Sequence, residues 1–170
     1  MGLRRRHEDP VQRFQMREKM MSIGDDFWIE DEQGQRAFHV NGKALRARDT
    51  FVLEDAAGHE VAHIQEKKFS VRDKMVIERD GHEVATVHKA LVGIRDRFDI
   101  DVSGGHDLKA HGNVVDHEYE IERDGTTTAK VSKKWFRVRD TYGVEVMELG
   151  DVVLVLAVTV AVDAMAHDRG

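Results

Sequence analysis

The residues best suited to chemistry in this chain are two clusters of cations. Lys67 and Lys68 stand close to Arg72, and Lys133 and Lys134 stand close to Arg137 and Arg139. Lysine and arginine in such groups suit phosphate, because charge-assisted hydrogen bonds form to its oxygens and arginine can bind in bidentate fashion. The competing reading is structural: solvated strand faces whose lysines pair with Glu and Asp on neighbouring strands and discourage edge-to-edge aggregation.

Other chemistries find less support. Ten histidines raise the question of a metal, but none is spaced with a second His and a carboxylate in a recognised pattern. His59 and His63 fall on an expected strand, where positions four apart lie about 13 Å from one another. His106 and His111, beside Gly104, Gly105 and Gly112, come nearest to a usable pair. The expectation is therefore no metal site and no cofactor. Cysteine is absent, which removes disulfides and thiolate chemistry. Ser22, Ser70, Ser103 and Ser132 lack a nucleophile motif, and acidic turns account for Glu30-Asp31 and Glu54-Asp55. No catalytic residues are assigned and no enzyme is expected. A net charge of −6 argues against nucleic acid as a partner.

The elements that carry these residues repeat. Arg-Asp occurs at 48–49, 72–73, 95–96 and 139–140, spacings of 24, 23 and 44 residues. The first three pairs are each followed by an apolar stretch, an acidic turn with Gly, a second apolar stretch and Lys, so the period reports tandem hairpins. Adjacent strand residues face opposite ways, so an Arg-Asp pair is no single site; the Asp is read as a turn cap. Asp80-Gly81 and Asp124-Gly125 predict type I′ turns, where both residues take positive φ. Alternation places His117, Tyr119 and Ile121 on a buried face and Glu118, Glu120 and Glu122 on a wet one. Five hairpins, the fourth degenerate around Gly104-Gly105, plus flanking strands at 13–24 and 141–147, make about twelve strands. So many strands favour closure into an antiparallel barrel. Residues 105–116 are the weakest part of this reading.

After Gly150-Asp151 the chain runs Val-Val-Leu-Val-Leu-Ala-Val-Thr-Val-Ala-Val, with only Thr159 polar. The run is too short to span a bilayer, which takes about 20 apolar residues. Valine favours strand, but Asp151 suits an N-cap, and Ala157, Ala161 and Ala164 form a small-residue stripe. A helix apolar all round is buried all round. Among hairpins, that places it inside the barrel, over about 151–166. Because the helix fills the interior, ligands belong on the outside or at a rim.

The phrases MREKMMSIGDDF (Met16–Phe27), Val71–Asp73, Gly81–Lys89 and DHEYEIERDGTTTAKVSKKWFRVRD (Asp116–Asp140), with the run Val152–Ala161, resemble the LURP-one-related branch of the tubby-like superfamily, which includes bacterial YxjI-type proteins. The resemblance covers about residues 13–168. It implies a tubby-like barrel, and for tubby domains surface cations that bind phosphoinositide head groups; in a bacterial protein another anionic phospholipid would take that place. It carries no catalytic set.

The expectations follow. Residues 1–12 form a disordered basic tail and 13–168 a single domain, monomeric by default. The function is a non-catalytic binding module for anionic phospholipid or phosphate groups, through Lys67, Lys68, Arg72, Lys133, Lys134, Arg137 and Arg139. The alternative is a protein-interaction domain with an apolar patch at Trp28 or Trp135-Phe136. With no apolar leader core after the N-terminal arginines, the expected location is cytoplasmic, with peripheral contact at a membrane if lipid is bound.

Overall fold

A computed structural model describes residues 11–17, 26–41, 50–67, 74–90, 97–135, 141–147 and 150–167. Among them twelve strands follow one another around a closed antiparallel barrel: β1 (Gln12–Arg17), β2 (Phe27–Asp31), β3 (Arg36–Asn41), β4 (Thr50–Asp55), β5 (Glu60–Lys67), β6 (Lys74–Arg79), β7 (His82–Lys89), β8 (Arg97–Val102), β9 (Leu108–Asn113), β10 (Glu118–Arg123), β11 (Thr126–Ser132) and β12 (Thr141–Val146). β1 closes the ring against β12, with Gln12 opposite Val146 and Arg17 opposite Thr141. The helix α1 (Val152–His167) runs through the centre. The barrel, the central helix and the fourth hairpin through the Gly104-Gly105 turn are as the sequence predicts. The tail expected at 1–12 falls almost wholly outside the described residues, and β1 already begins at Gln12.

The repeat has a structural counterpart finer than the sequence period. In four hairpins the register shifts at the same place, between Ile29 and Glu30, Leu53 and Glu54, Ile77 and Glu78, and Ile121 and Glu122. A β-bulge bends its strand and increases its twist, and repeating it is one way to curl a sheet into a barrel. Two turn designs follow the bulges. Asp80-Gly81 and Asp124-Gly125 take φ of 51, 74, 50 and 77°, the type I′ pattern. At Asp31 and Asp55 one carboxylate oxygen accepts two backbone N–H groups at 2.9 Å each, from Gln33 and Gln35 and from Ala57 and His59. Gly34 and Gly58 then supply the positive φ.

The interior is dry and filled. Ile29, Val40, Leu53, Ile64, Ile77, Val87, Phe98, Ile100, Ile121 and Val144 point inward with no exposed surface. Ala62, Ala85, Ala110 and Ala129, inward on the second strands of four successive hairpins, leave room for the helix. From α1 come Leu156, Ala157, Val158, Ala161 and Val162, all fully buried. That burial overrides the β-propensity of valine, because a strand in this position would leave its backbone N–H and C=O groups without partners in an apolar interior. Asp151 caps the helix: Oδ1 accepts from Leu154 N at 3.1 Å, and Oδ2 accepts from Arg79 Nη1 at 2.9 Å.

The two ends of the barrel differ. At one end lie the short turns 32–35, 56–59, 80–81, 103–107 and 124–125, together with the start of α1. At the other end strands begin or finish at Arg17, Phe27, Asn41, Thr50, Lys67, Lys74, Lys89, Arg97, Ser132 and Thr141, and α1 finishes there as well.

Candidate functional site

Three of the seven predicted cationic site residues are described, and all three are at the end where α1 finishes. Lys67 is the last residue of β5, and Lys133 and Lys134 open the 3-10 turn Lys133–Trp135 after β11. Lys68, Arg72, Arg137 and Arg139 lie outside the described residues, as do the Arg-Asp pairs at 48–49, 72–73, 95–96 and 139–140. Lys67 and the Lys133–Lys134 pair do not share one wall, because β5 and β11 are six places apart in a ring of twelve.

Around Lys67 the register adds partners that lie far off in sequence. Lys67 stands opposite Lys74, and Lys74 opposite His88, a row of three basic groups across three strands. Lys67 Nζ is 3.6 Å from Glu83 Oε2, and His88 Nδ1 is 3.8 Å from Asp101 Oδ2. Neither Lys74 nor His88 stood out in the linear sequence. Pairing outward from the Asp80-Gly81 turn alone would set Lys74 opposite Val87; the register shift after Ile77 brings His88 across instead.

On the other wall a carboxylate organises the lysines. Glu118 Oε1 accepts from Ser132 Oγ at 3.0 Å and from Lys133 N at 3.1 Å, and Ser132 Oγ in turn accepts from Lys134 N at 3.1 Å. Lys134 is exposed. Trp135 is half-buried with the Arg13 guanidinium 5.7 Å from its ring centre. Lys134 and Trp135, together with His111, Glu118, Glu120 and Lys130, line a groove of about 420 Å³. Trp28, the other predicted apolar patch, is covered by the Arg36 guanidinium and the His39 ring, each 4.8 Å from its ring centre. Phe136 lies outside the described residues.

The register also lays charge around the outside in alternation. His111 stands opposite Glu120, Glu120 opposite Lys130, Lys130 opposite Glu145, and Glu145 opposite Arg13. The last pair closes at 3.0 Å. Opposite charges directly across a sheet contribute a few tenths of a kcal/mol each, roughly 0.2–1. This belt is the structural role the sequence offers for lysines on the strands, seen here for Lys130.

The histidines separate. His106 Nδ1 lies 2.8 Å from Asp124, and His59 Nδ1 lies 3.3 Å from Asp55. His111 Nε2 lies 2.9 Å from Glu122 Oε1, and with Glu120 these two residues place three ligand atoms within 4.8 Å of one another. His106 and His111 are thus not brought together. The acids beside His111 come from the neighbouring strand.

A second polar group lies in the core. His117 Nε2 is 2.6 Å from Asp163 Oδ1 on α1, and the His117 ring stacks on Tyr142 at 4.2 Å and 19°. Thr159 returns its hydroxyl to Val155 O at 2.8 Å. Tyr119 is buried near Asp163, and both burial and that carboxylate push its phenol well above the ordinary tyrosine pKa. Alternation had placed His117 and Tyr119 inward. The sequence signal for the whole group was Asp163, a carboxylate at the end of a helix apolar on every side.

The family model for LURP-one-related proteins matches residues 12–163. A crystal structure of a protein from Arabidopsis thaliana superposes with a TM-score of 0.69 at 17% identity, covering 91% of each chain, a likeness of fold. No curated protein sequence matches. The match over nearly the whole chain, on a closed twelve-strand barrel filled by its own C-terminal helix, makes this chain a member of the LURP-one-related family.

Proposed function

We propose that the protein is a non-catalytic binding module that recognises anionic phospholipid or phosphate groups with the end of the barrel where β5 and β11 finish. The observation that carries this reading is the placement of Lys67, with Lys74 and His88 beside it, and of Lys133 and Lys134, on opposite walls but at one end. A small anion can touch only one of these groups. A sheet of lipid head groups reaches both, and each lysine near such a surface contributes about 1 kcal/mol. No helix among the described residues is long and apolar enough to cross a membrane, so contact through α1 is not the route.

The test is vesicle co-sedimentation of the full chain with phosphatidylglycerol-containing and pure phosphatidylcholine vesicles, at low and moderate salt. Binding to the anionic vesicles only, weakened by salt and lost in a Lys67→Ser, Lys133→Ser, Lys134→Ser variant, is the expected result. Equal binding to both vesicles, or none, overturns it.

A second reading rests on the opposite end. There Val11, Phe14, Ala37, Phe38 and Val152 line a groove of about 640 Å³ rimmed by Asp31 and Glu32. An apolar groove with an acidic rim suits a protein partner that carries a basic segment, and it becomes the leading reading if vesicles are not bound.

A further inference from the structure

We infer that His111, Glu120 and Glu122 form a binding site for a divalent transition-metal ion of the Zn²⁺ kind on the outer wall. The donors come from two paired strands. His111 on β9 stands opposite Glu120 on β10, and Glu122 follows two residues on, facing the same side. Their ligand atoms already lie within 4.8 Å of one another, with His111 Nε2 and Glu122 Oε1 at 2.9 Å. Donors bound to one Zn²⁺ at about 2.0–2.2 Å sit roughly 3–4 Å apart, so side-chain rotation alone completes the set.

Three features of the surroundings hold the donors in place. Thr127 Oγ1 donates to Glu120 Oε2 at 3.2 Å, the kind of outer hydrogen bond that fixes a ligating carboxylate. Beside His111, Gly112 has φ of 133°, and a Cβ there would meet Glu118 O at 2.8 Å and Tyr119 Cα at 2.9 Å. The two strands are therefore pressed together at the level of the site. Glu120 and Glu122 are half-buried rather than fully solvated.

The donor set chooses the ion. Imidazole nitrogen with two carboxylates suits Zn²⁺ and its neighbours, whereas Mg²⁺ and Ca²⁺ prefer oxygen alone. Three protein ligands leave a position for water or for an anionic ligand, and the site adjoins the groove bounded by Lys130, Lys134 and Trp135. Lys130 opposite Glu120 and Lys109 opposite Glu122 compete with the ion for the carboxylates.

Titration calorimetry with Zn²⁺ alone on the full chain tests the site. One ion per chain is expected, with binding lost in His111→Ala, weakened about tenfold or more in Glu122→Gln, unchanged in His106→Ala and tightened in Lys130→Met. No uptake by the unaltered protein overturns the proposal, as does uptake that survives both His111→Ala and Glu122→Gln. A readout free of variants is the ring resonances of the ten histidines during the same titration. His111 must move first, and movement confined to other histidines refutes the assignment.

Discussion

Asp163 on α1 and His117, just ahead of β10, meet at 2.6 Å inside the barrel, both almost completely buried. His117 adopts φ of 53° to reach the helix and lies flat against Tyr142. A buried pair of this kind is costly to break, because the surviving member is left in an apolar interior. Asp163→Ala and His117→Ala are each expected to cost about 3–5 kcal/mol. Asp163→Leu combined with His117→Phe is expected to recover most of that loss, since no buried polar group is then left without its partner. Equilibrium urea unfolding of the three variants measures it. Single-variant costs below about 1 kcal/mol would show that the pair does not anchor the helix.

At the other end of the helix the anchor is exposed and weaker. Asp151 caps α1 and also receives Arg79 from the β6–β7 hairpin. Asp151→Ala is expected to cost about 1 kcal/mol through the lost cap. Arg79→Ala is expected to cost at most about 1 kcal/mol, because the pair faces solvent. The double variant should fall short of the sum, and strict additivity would mean that the Arg79 contact contributes nothing.

Gly112→Ala is a sharper test of the tight approach of β9 and β10. A methyl group would strike backbone atoms, which cannot move aside as a flexible side chain can, at a φ that L residues avoid. A loss of about 2–4 kcal/mol is expected in thermal or urea unfolding. Gly81→Ala carries the strain of φ 74° without any steric contact, and its expected cost is about 1 kcal/mol. Equal losses at the two positions would contradict the close approach.

Asp55 and Tyr119 each contribute to the pH response. Backbone N–H groups of His59 and Ala57, and the His59 ring, hold the Asp55 carboxyl below its ordinary value of 3.8. Its folded pKa is depressed, so its contribution to the β4–β5 turn is complete above the unfolded pKa and is lost as pH falls through the folded one. Carbon-detected titration should place the Asp55 midpoint below 3.8. A midpoint at or above that value would refute the turn's role. Tyr119 acts at the alkaline end. Its phenol is held protonated in the folded barrel, chiefly by burial, while the unfolded chain ionises near pH 10. The unfolded state therefore binds fewer protons above that pH, and stability declines as pH rises further. Tyr119→Phe should flatten that decline.

Much of this architecture could be read from the chain, and for identifiable reasons. Asp80-Gly81 and Asp124-Gly125 announce their own turns, and the alternation His117–Ile121 reports one buried face, because both are local properties of the backbone. The helix at Val152 was legible through Asp151 as a cap, the alanine stripe and the logic of burial, against the strand preference of its valines. The site was much less legible. Lys74 and His88 join Lys67, and Glu120 and Glu122 join His111, only through cross-strand register. For Lys74 and His88 that register also depends on the bulge at Glu78, which no single-strand periodicity records. Separation along the chain hides such neighbours, and a one-residue shift would turn each side chain to the opposite face.

The central helix also fixes an order of events. It follows all twelve strands in the chain, yet it supplies the surface against which their inner faces pack. A segment enclosed on every side cannot slide into a finished ring past Phe98 and Tyr142, so the ring closes around the helix rather than ahead of it. Assembly is therefore governed by the contacts most distant in sequence, such as Gln12 with Val146, the arrangement that makes folding slow. The helix, which follows every one of these strands in the chain, is the segment that lets β1 find β12.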